Sequence, residues 1–96
     1  MIRHIVMFKF KEENKAENVA HTKAMLDALP AKIPQILSSQ TYTDCAVKAD
    51  NFDLILISDF ASHEDLEAYI VHPDHKAVGA FMTPVRESRA CVDIEL

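Results

Sequence analysis

The chain predicts an α+β fold of the ferredoxin-like kind: a βαββαβ subunit with a four-stranded antiparallel sheet and helices on one face. Three observations carry that prediction. Breaker-free stretches with strand character fall at 2–10, 36–43, 52–60 and 89–96. Apolar residues at helical spacing occupy the intervals between the first and second strands and between the third and fourth. The first and third strands are apolar on both faces, where a sheet with one solvated face would alternate.

Taken in order, "IRHIVMFKF" is rich in β-branched and aromatic residues, which favours a strand over 2–10. Ile2, His4, Val6, Phe8 and Phe10 share one face, and His4 is its only polar member. Ala16, Val19, Lys23 (by its stem), Leu26 and Leu29 then define a helix over about 14–29 that Pro30 ends. "ILSSQTYT" at 36–43 is a second, more polar strand, and "FDLILISDF" at 52–60 is the most apolar strand, placed centrally. Ser62 with Asp65 three residues on forms a capping box for a helix to about residue 71, where Pro73 disfavours helical geometry at His72. Asp74 is the expected cap of a short second piece over 75–83, closed by Pro84. In the last strand Ala90, Val92, Ile94 and Leu96 alternate with Arg89, Cys91, Asp93 and Glu95.

At 96 residues the chain has room for one domain, 1–96, with one core. A formal charge of −5 lacks the basic footprint that nucleic acid requires. No apolar run approaches the roughly 20 residues that span a bilayer. The N-terminus is too charged and too short in its apolar run for a signal peptide, and Cys45 and Cys91 lack CxxC spacing. A cytoplasmic protein with two reduced, buried or half-buried thiols is expected. The surplus apolar sheet face calls for a cover, and a second copy of the chain is the economical one, giving a homodimer.

The chemistry-bearing stretch is "YIVHPDHKAVGAF", 69–81. An imidazole with an unperturbed pKa near 6.5 can accept a proton at neutral pH, so His75 can serve as a base if Tyr69 and His4 converge on it. The competing reading makes His72 and His75 caps of two helix ends, with His72 a cation at the first helix's C-terminus, Tyr69 half-buried, and His4 a satisfied core residue. His72, Asp74 and His75 have a superficial likeness to a two-histidine, one-carboxylate metal set, but Pro73 breaks the helix that would align them, and no metal is expected. No serine elbow or phosphate-cradling glycine loop exists; the single glycine, Gly79, lies inside a helix. His21 and His63 fall on polar surfaces and are given no role.

Together "RHIVMFKFK", "YIVHPDHKAVGAF" and "VDIEL" resemble the stress-responsive A/B barrel (Dabb) family over essentially the whole chain. The resemblance implies a dimeric α+β barrel in which two ferredoxin-like sheets pack face to face. It also implies the residue roles seen in plant polyketide cyclases of that family: His75 as general base, Tyr69 placing it or the substrate, and His4 lining the same cavity. One cyclase pocket histidine on the central strand is replaced here by Leu54. The expected function is therefore binding of a small carbonyl-bearing or aromatic molecule in an apolar cavity, with cofactor-independent proton abstraction or cyclisation as the chemistry. A non-enzymatic, stress-associated structural or binding dimer is the alternative. The two differ in one feature: an open cavity facing Tyr69, His75 and His4, or the same space filled by Val6, Phe8, Leu54, Leu56, Phe81 and Met82.

Overall fold

A computed structural model describes residues 1–96. It has the predicted α+β, ferredoxin-like order of elements, with the second helix in two pieces. Strand β1 (Ile2–Phe10) pairs antiparallel with β3 (Leu54–Phe60) on one side and β4 (Arg86–Glu95) on the other. Strand β2 (Ser38–Thr43) lies outside β3, so the sheet runs β2-β3-β1-β4. Helices α1 (Lys15–Ala28), α2 (His63–Val71) and α3 (Pro73–Met82) cover one face. The even-numbered residues of β1 all point into that layer and are buried, as the alternation requires. They meet Leu26 and Leu29 from the first helical segment, and Leu66, Tyr69, Val78 and Met82 from α2 and α3.

The opposite face has no helix over it. There Ile5 sits between Ile57 of β3 and Val92 of β4, and Met7 sits between Ile55 and Ala90. Val92 is 52% exposed and Met7 38%. Burial of apolar surface stabilises by roughly 25 cal/mol per Å², so this wall forgoes stabilisation while it faces water. At its edge Arg3 grips Asp59 with two hydrogen bonds, Nε to Oδ1 at 2.9 Å and Nη2 to Oδ2 at 3.1 Å. That guanidinium holds the Asp59 carboxyl below the usual carboxylate range. No helix is long and apolar enough to cross a membrane.

Several local expectations need correction. The first helix stops at Ala28, and Leu29–Ala31 form a 3₁₀ turn that takes in Pro30, whose missing N–H is harmless near a helix start. Ala16 is exposed, whereas Thr22, absent from the apolar pattern, is fully buried. The second strand begins at Ser38 rather than 36, after Ile33 and Ile36 have turned into the core. The third begins at Leu54; beyond it the Asp53 N–H still donates to the Phe8 carbonyl, but the Phe10 N–H is taken by the Asp53 carboxylate in place of a backbone carbonyl. Asp74 does not cap α3. His72 does, its Nδ1 accepting the Asp74 N–H at 3.1 Å, with Pro73 in the first turn. The His72 ring nitrogen thus serves the start of α3. Both cysteines are exposed in the chain, Cys45 in the β2–β3 connection and Cys91 on the edge strand beyond the reach of the helices.

The Thr22 hydroxyl is buried in α1 without a hydrogen-bond partner. An unpartnered buried hydroxyl costs about 1–3 kcal/mol, and valine has nearly the same shape and helix propensity. Thr22→Val should therefore raise unfolding stability by about 1 kcal/mol in a denaturant titration. A loss of stability would show that the hydroxyl has a partner in solution.

Candidate functional site

Between the sheet and the α2–α3 layer lies a cavity of about 430 Å³. Its floor is the inward row of β1, where His4, Val6 and Phe8 follow one another at every second residue. Its roof comes from the last turn of α2, with Tyr69 and Ile70, and from α3, with His75, Val78, Gly79 and Met82. The break at His72 sets the roof. Its extended backbone (φ −63°, ψ 137°), required before a proline, turns α3 against α2 and brings His75 back over Tyr69.

The three predicted site residues therefore meet. The Tyr69 ring lies 4.4 Å from that of His75 and 6.1 Å from that of His4, centroid to centroid. Tyr69 is only 1% exposed rather than half-buried, and burial pushes its phenol up to about 12 against the opposing pull of the Arg89 cation. It stays protonated at any physiological pH, so its hydroxyl acts as a hydrogen-bond donor and not as a base.

His75 donates from Nδ1 to the Ile70 carbonyl at 3.0 Å. A carbonyl can only accept, so the neutral ring holds its proton on Nδ1 and keeps the lone pair on Nε2. Burial pulls the His75 pKa below its ordinary 6.5. The Ile70 bond opposes this, while His4, Arg89 and His72 add to the downward pull. The ring is thus neutral and basic at pH 7.

His4 is held from the other side. Its Nδ1 lies 2.5 Å from the Asp93 carboxylate, which accepts from it, and Cys91 Sγ is 3.7 Å from the same nitrogen. The three groups cluster closely enough to invite a metal reading. However, His4 Nδ1 and the Asp93 carboxylate are hydrogen-bonded to each other, closer than two ligands of one zinc ion, each bonded at about 2.0–2.3 Å, would sit. Partial desolvation beside the strand and the Asp93 charge push the otherwise exposed Cys91 thiol up, which leaves it a poor nucleophile. In the set with the superficial metal-site likeness, His72 Nδ1 caps α3, Asp74 lies 3.8 Å from it, and His75 is bonded to Ile70.

The residues proposed to fill the space do so only in part. Val6, Phe8, Leu56 and Met82 wall the cavity, whereas Leu54 does not line it and Phe81 packs on His21, ring centroids 4.3 Å apart. His21 thus has a packing role that the polar-surface reading missed. Gly79 faces open space, since a Cβ there would meet nothing within 4 Å. A second hollow, about 370 Å³, lies by the β2–β3 connection around Met7, Tyr42, Asp44 and Phe52, and contains no histidine.

Sequence reasoning missed Arg86, Arg89 and Asp93. Strict alternation would place 86 and 89 on opposite faces. A bulge prevents this: Lys9 pairs with Ser88 and Phe10 with Arg86, so Glu87 is the extra residue and both arginines share the face of Phe8 and Phe10.

The profile of the Stress responsive A/B Barrel Domain matches residues 2–96, and the chain belongs to that family. A stress-response A/B barrel domain-containing protein of Arabidopsis thaliana is 33% identical over 97% of the chain, which spans 36% of that relative's length. The curated relatives it matches are thus more than twice as long as the chain. A dimeric ferredoxin-like protein of unknown function from Bacteroides fragilis superposes with a TM-score of 0.90 at 33% identity, covering 99% of this chain and 95% of the other. Its counterpart from Thermobifida fusca gives 0.88 at 30%, covering 99% and 90%.

The lowered His75 pKa has a consequence for stability. Above pH 6.5 the ring is neutral in both the folded and unfolded states. As pH falls below that value the unfolded chain takes up the proton first, so folding stability declines until the folded-state pKa is passed. Histidine NMR titration should give His75 a midpoint below 6.5, and His75→Gln should flatten the decline in stability between neutral pH and that midpoint. A midpoint at or above 6.5 would contradict the half-buried, neutral ring.

Proposed function

We propose that the chain forms a cytoplasmic homodimer, one domain per subunit, and that each subunit binds a small carbonyl-bearing or aromatic molecule in the His4–Tyr69–His75 cavity. His75 is the general base. Its Nε2 takes a proton from the carbon next to a carbonyl, and the Tyr69 hydroxyl donates a hydrogen bond to the oxygen on which negative charge develops. His4, steadied by Asp93, orients the ligand from the sheet side. The resulting carbanion equivalent can attack a second carbonyl of the same molecule, as in cyclisation or aldol closure, or be reprotonated, as in isomerisation. No cofactor is required for either outcome.

One observation carries this reading: the Nδ1 of His75 is tied to a backbone carbonyl inside a cavity whose buried Tyr69 phenol is fixed as a donor. A base and an acid of separated pKa side by side are what enolisation needs. A dimer with a purely structural role would have no use for an open space at these groups. For the dimer, the support is the apolar wall of Ile5, Met7, Ile55, Ile57 and Val92, together with the dimeric descriptions of the B. fragilis and T. fusca relatives.

The chemistry is tested by hydrogen–deuterium exchange at the benzylic carbon of phenylacetone in D₂O, followed by NMR. The protein should accelerate exchange, and His75→Gln should lower the catalysed rate by about 10²–10⁴-fold. Tyr69→Phe should lower it less while leaving binding in place. Binding without acceleration would favour the non-enzymatic alternative. The dimer is tested by light scattering: the protein should run at twice the 10.8 kDa chain mass, and Ile57→Lys, which puts a charge in the centre of the apolar wall, should give the single-chain mass. An unaltered mass for the variant would exclude that wall as the interface.

A further inference from the structure

We propose that the ligand of this cavity is a keto acid, its carboxylate held by Arg86 and Arg89 and its carbonyl turned toward Tyr69 and His75. The inference rests on the cavity being the ligand site. The chain has three arginines, and two of them line this cavity. Arg3 is paired with Asp59, Lys15 with Glu12 and Asp53, and Lys23 with Asp27. Arg86 and Arg89, in the wall of the cavity, have no ion pair. Of the two acids on the same face of β4, Asp93, the nearer in sequence, is engaged by His4, and Glu95 lies opposite Ile2 at the far end of the strand.

Two further facts bear on the pair. The bulge at Glu87 is what aims both guanidinium groups into the same space, and bulges re-aim side chains beside binding sites. The rest of the lining is largely apolar, so the arginines are its only permanent charges. A guanidinium presents a planar fork of N–H donors that matches the two oxygens of a carboxylate. Arg89 lines the same cavity as Tyr69 and His75, so its charge faces the space in which an enolate oxygen would form. At about 430 Å³ the cavity lies toward the small end of the roughly 300–1,000 Å³ typical of ligand sites, which suits a compact acid.

The test compares benzoylformate with its methyl ester, which keeps the ring and the ketone but loses the charge. Binding is measured by calorimetry and located by NMR shifts at Tyr69 and His75. The acid should bind about ten- to a hundredfold more tightly than the ester, the range expected for charge-assisted hydrogen bonds. The double variant R86Q/R89Q should bind both equally, the single variants should lie between, and Tyr69→Phe should keep the full preference for the acid. Equal binding of acid and ester to the unaltered protein, or a preference that survives in R86Q/R89Q, would overturn the proposal while leaving the cavity as a ligand site. Failure of both probes to shift His75 would overturn the proposal and the site reading together. Displacement of benzoylformate by inorganic phosphate at lower concentration than by acetate would overturn the carboxylate assignment in favour of a phosphate ester.

Discussion

A one-residue slip between β1 and β4 would turn Arg89, Cys91 and Asp93 away from the helices and put Ala90 and Val92 in their place. The register of that pair therefore sets the chemistry of the whole subunit. Because Val6 faces Cys91 and His4 faces Asp93, the polar row of β4 lies on the covered face, at an edge the helices do not reach. It completes the cavity with charge where more apolar packing would otherwise go. The same register sends the apolar row of β4 to the uncovered face, where it extends the wall begun by Ile5, Met7, Ile55 and Ile57.

The second constraint is the helix break at His72. A continuous helix from α2 through α3 would carry His75 past the end of the sheet and away from Tyr69. Pro73 forces His72 into an extended conformation, and the His72 ring then supplies the cap that the new helix start needs. With α3 redirected, the Ile70 carbonyl, freed at the C-terminal end of α2, becomes the acceptor for His75. A loose end of one helix thus fixes the tautomer of a side chain on the next.

Much of this was legible in the chain because it follows from period and breakers. The strand order, the two-sided apolar character of β1 and β3, and the break before Pro73 each have a local signature in the sequence. The meeting of His4, Tyr69 and His75 was not derivable from spacing; it came from the resemblance of "YIVHPDHKAVGAF" to the family to which the chain proves to belong. What stayed hidden depended on nonlocal pairing. Arg86 joins the site only through a bulge opposite Lys9 and Phe10, and alternation has no means of announcing a bulge. Asp93 meets His4 across 89 residues of sequence. Asp74 looked like the better cap for α3 by residue type, and lost to a histidine ring that the Pro73 turn places closer to the free N–H. The exposure of Cys91 likewise reflects how far the helices extend over the sheet, a tertiary dimension that residue order does not encode.

The central claim is that a backbone carbonyl holds His75 as a neutral base with its lone pair on Nε2. The most direct measurement is the pair of ring ¹⁵N chemical shifts of His75 in the ¹⁵N-labelled protein at pH 7.5, read through their long-range couplings to the ring protons. The account predicts a protonated Nδ1 and an unprotonated Nε2. A proton on Nε2, or a charged ring with both nitrogens protonated, would contradict it, since neither state leaves an Nε2 base for the cavity.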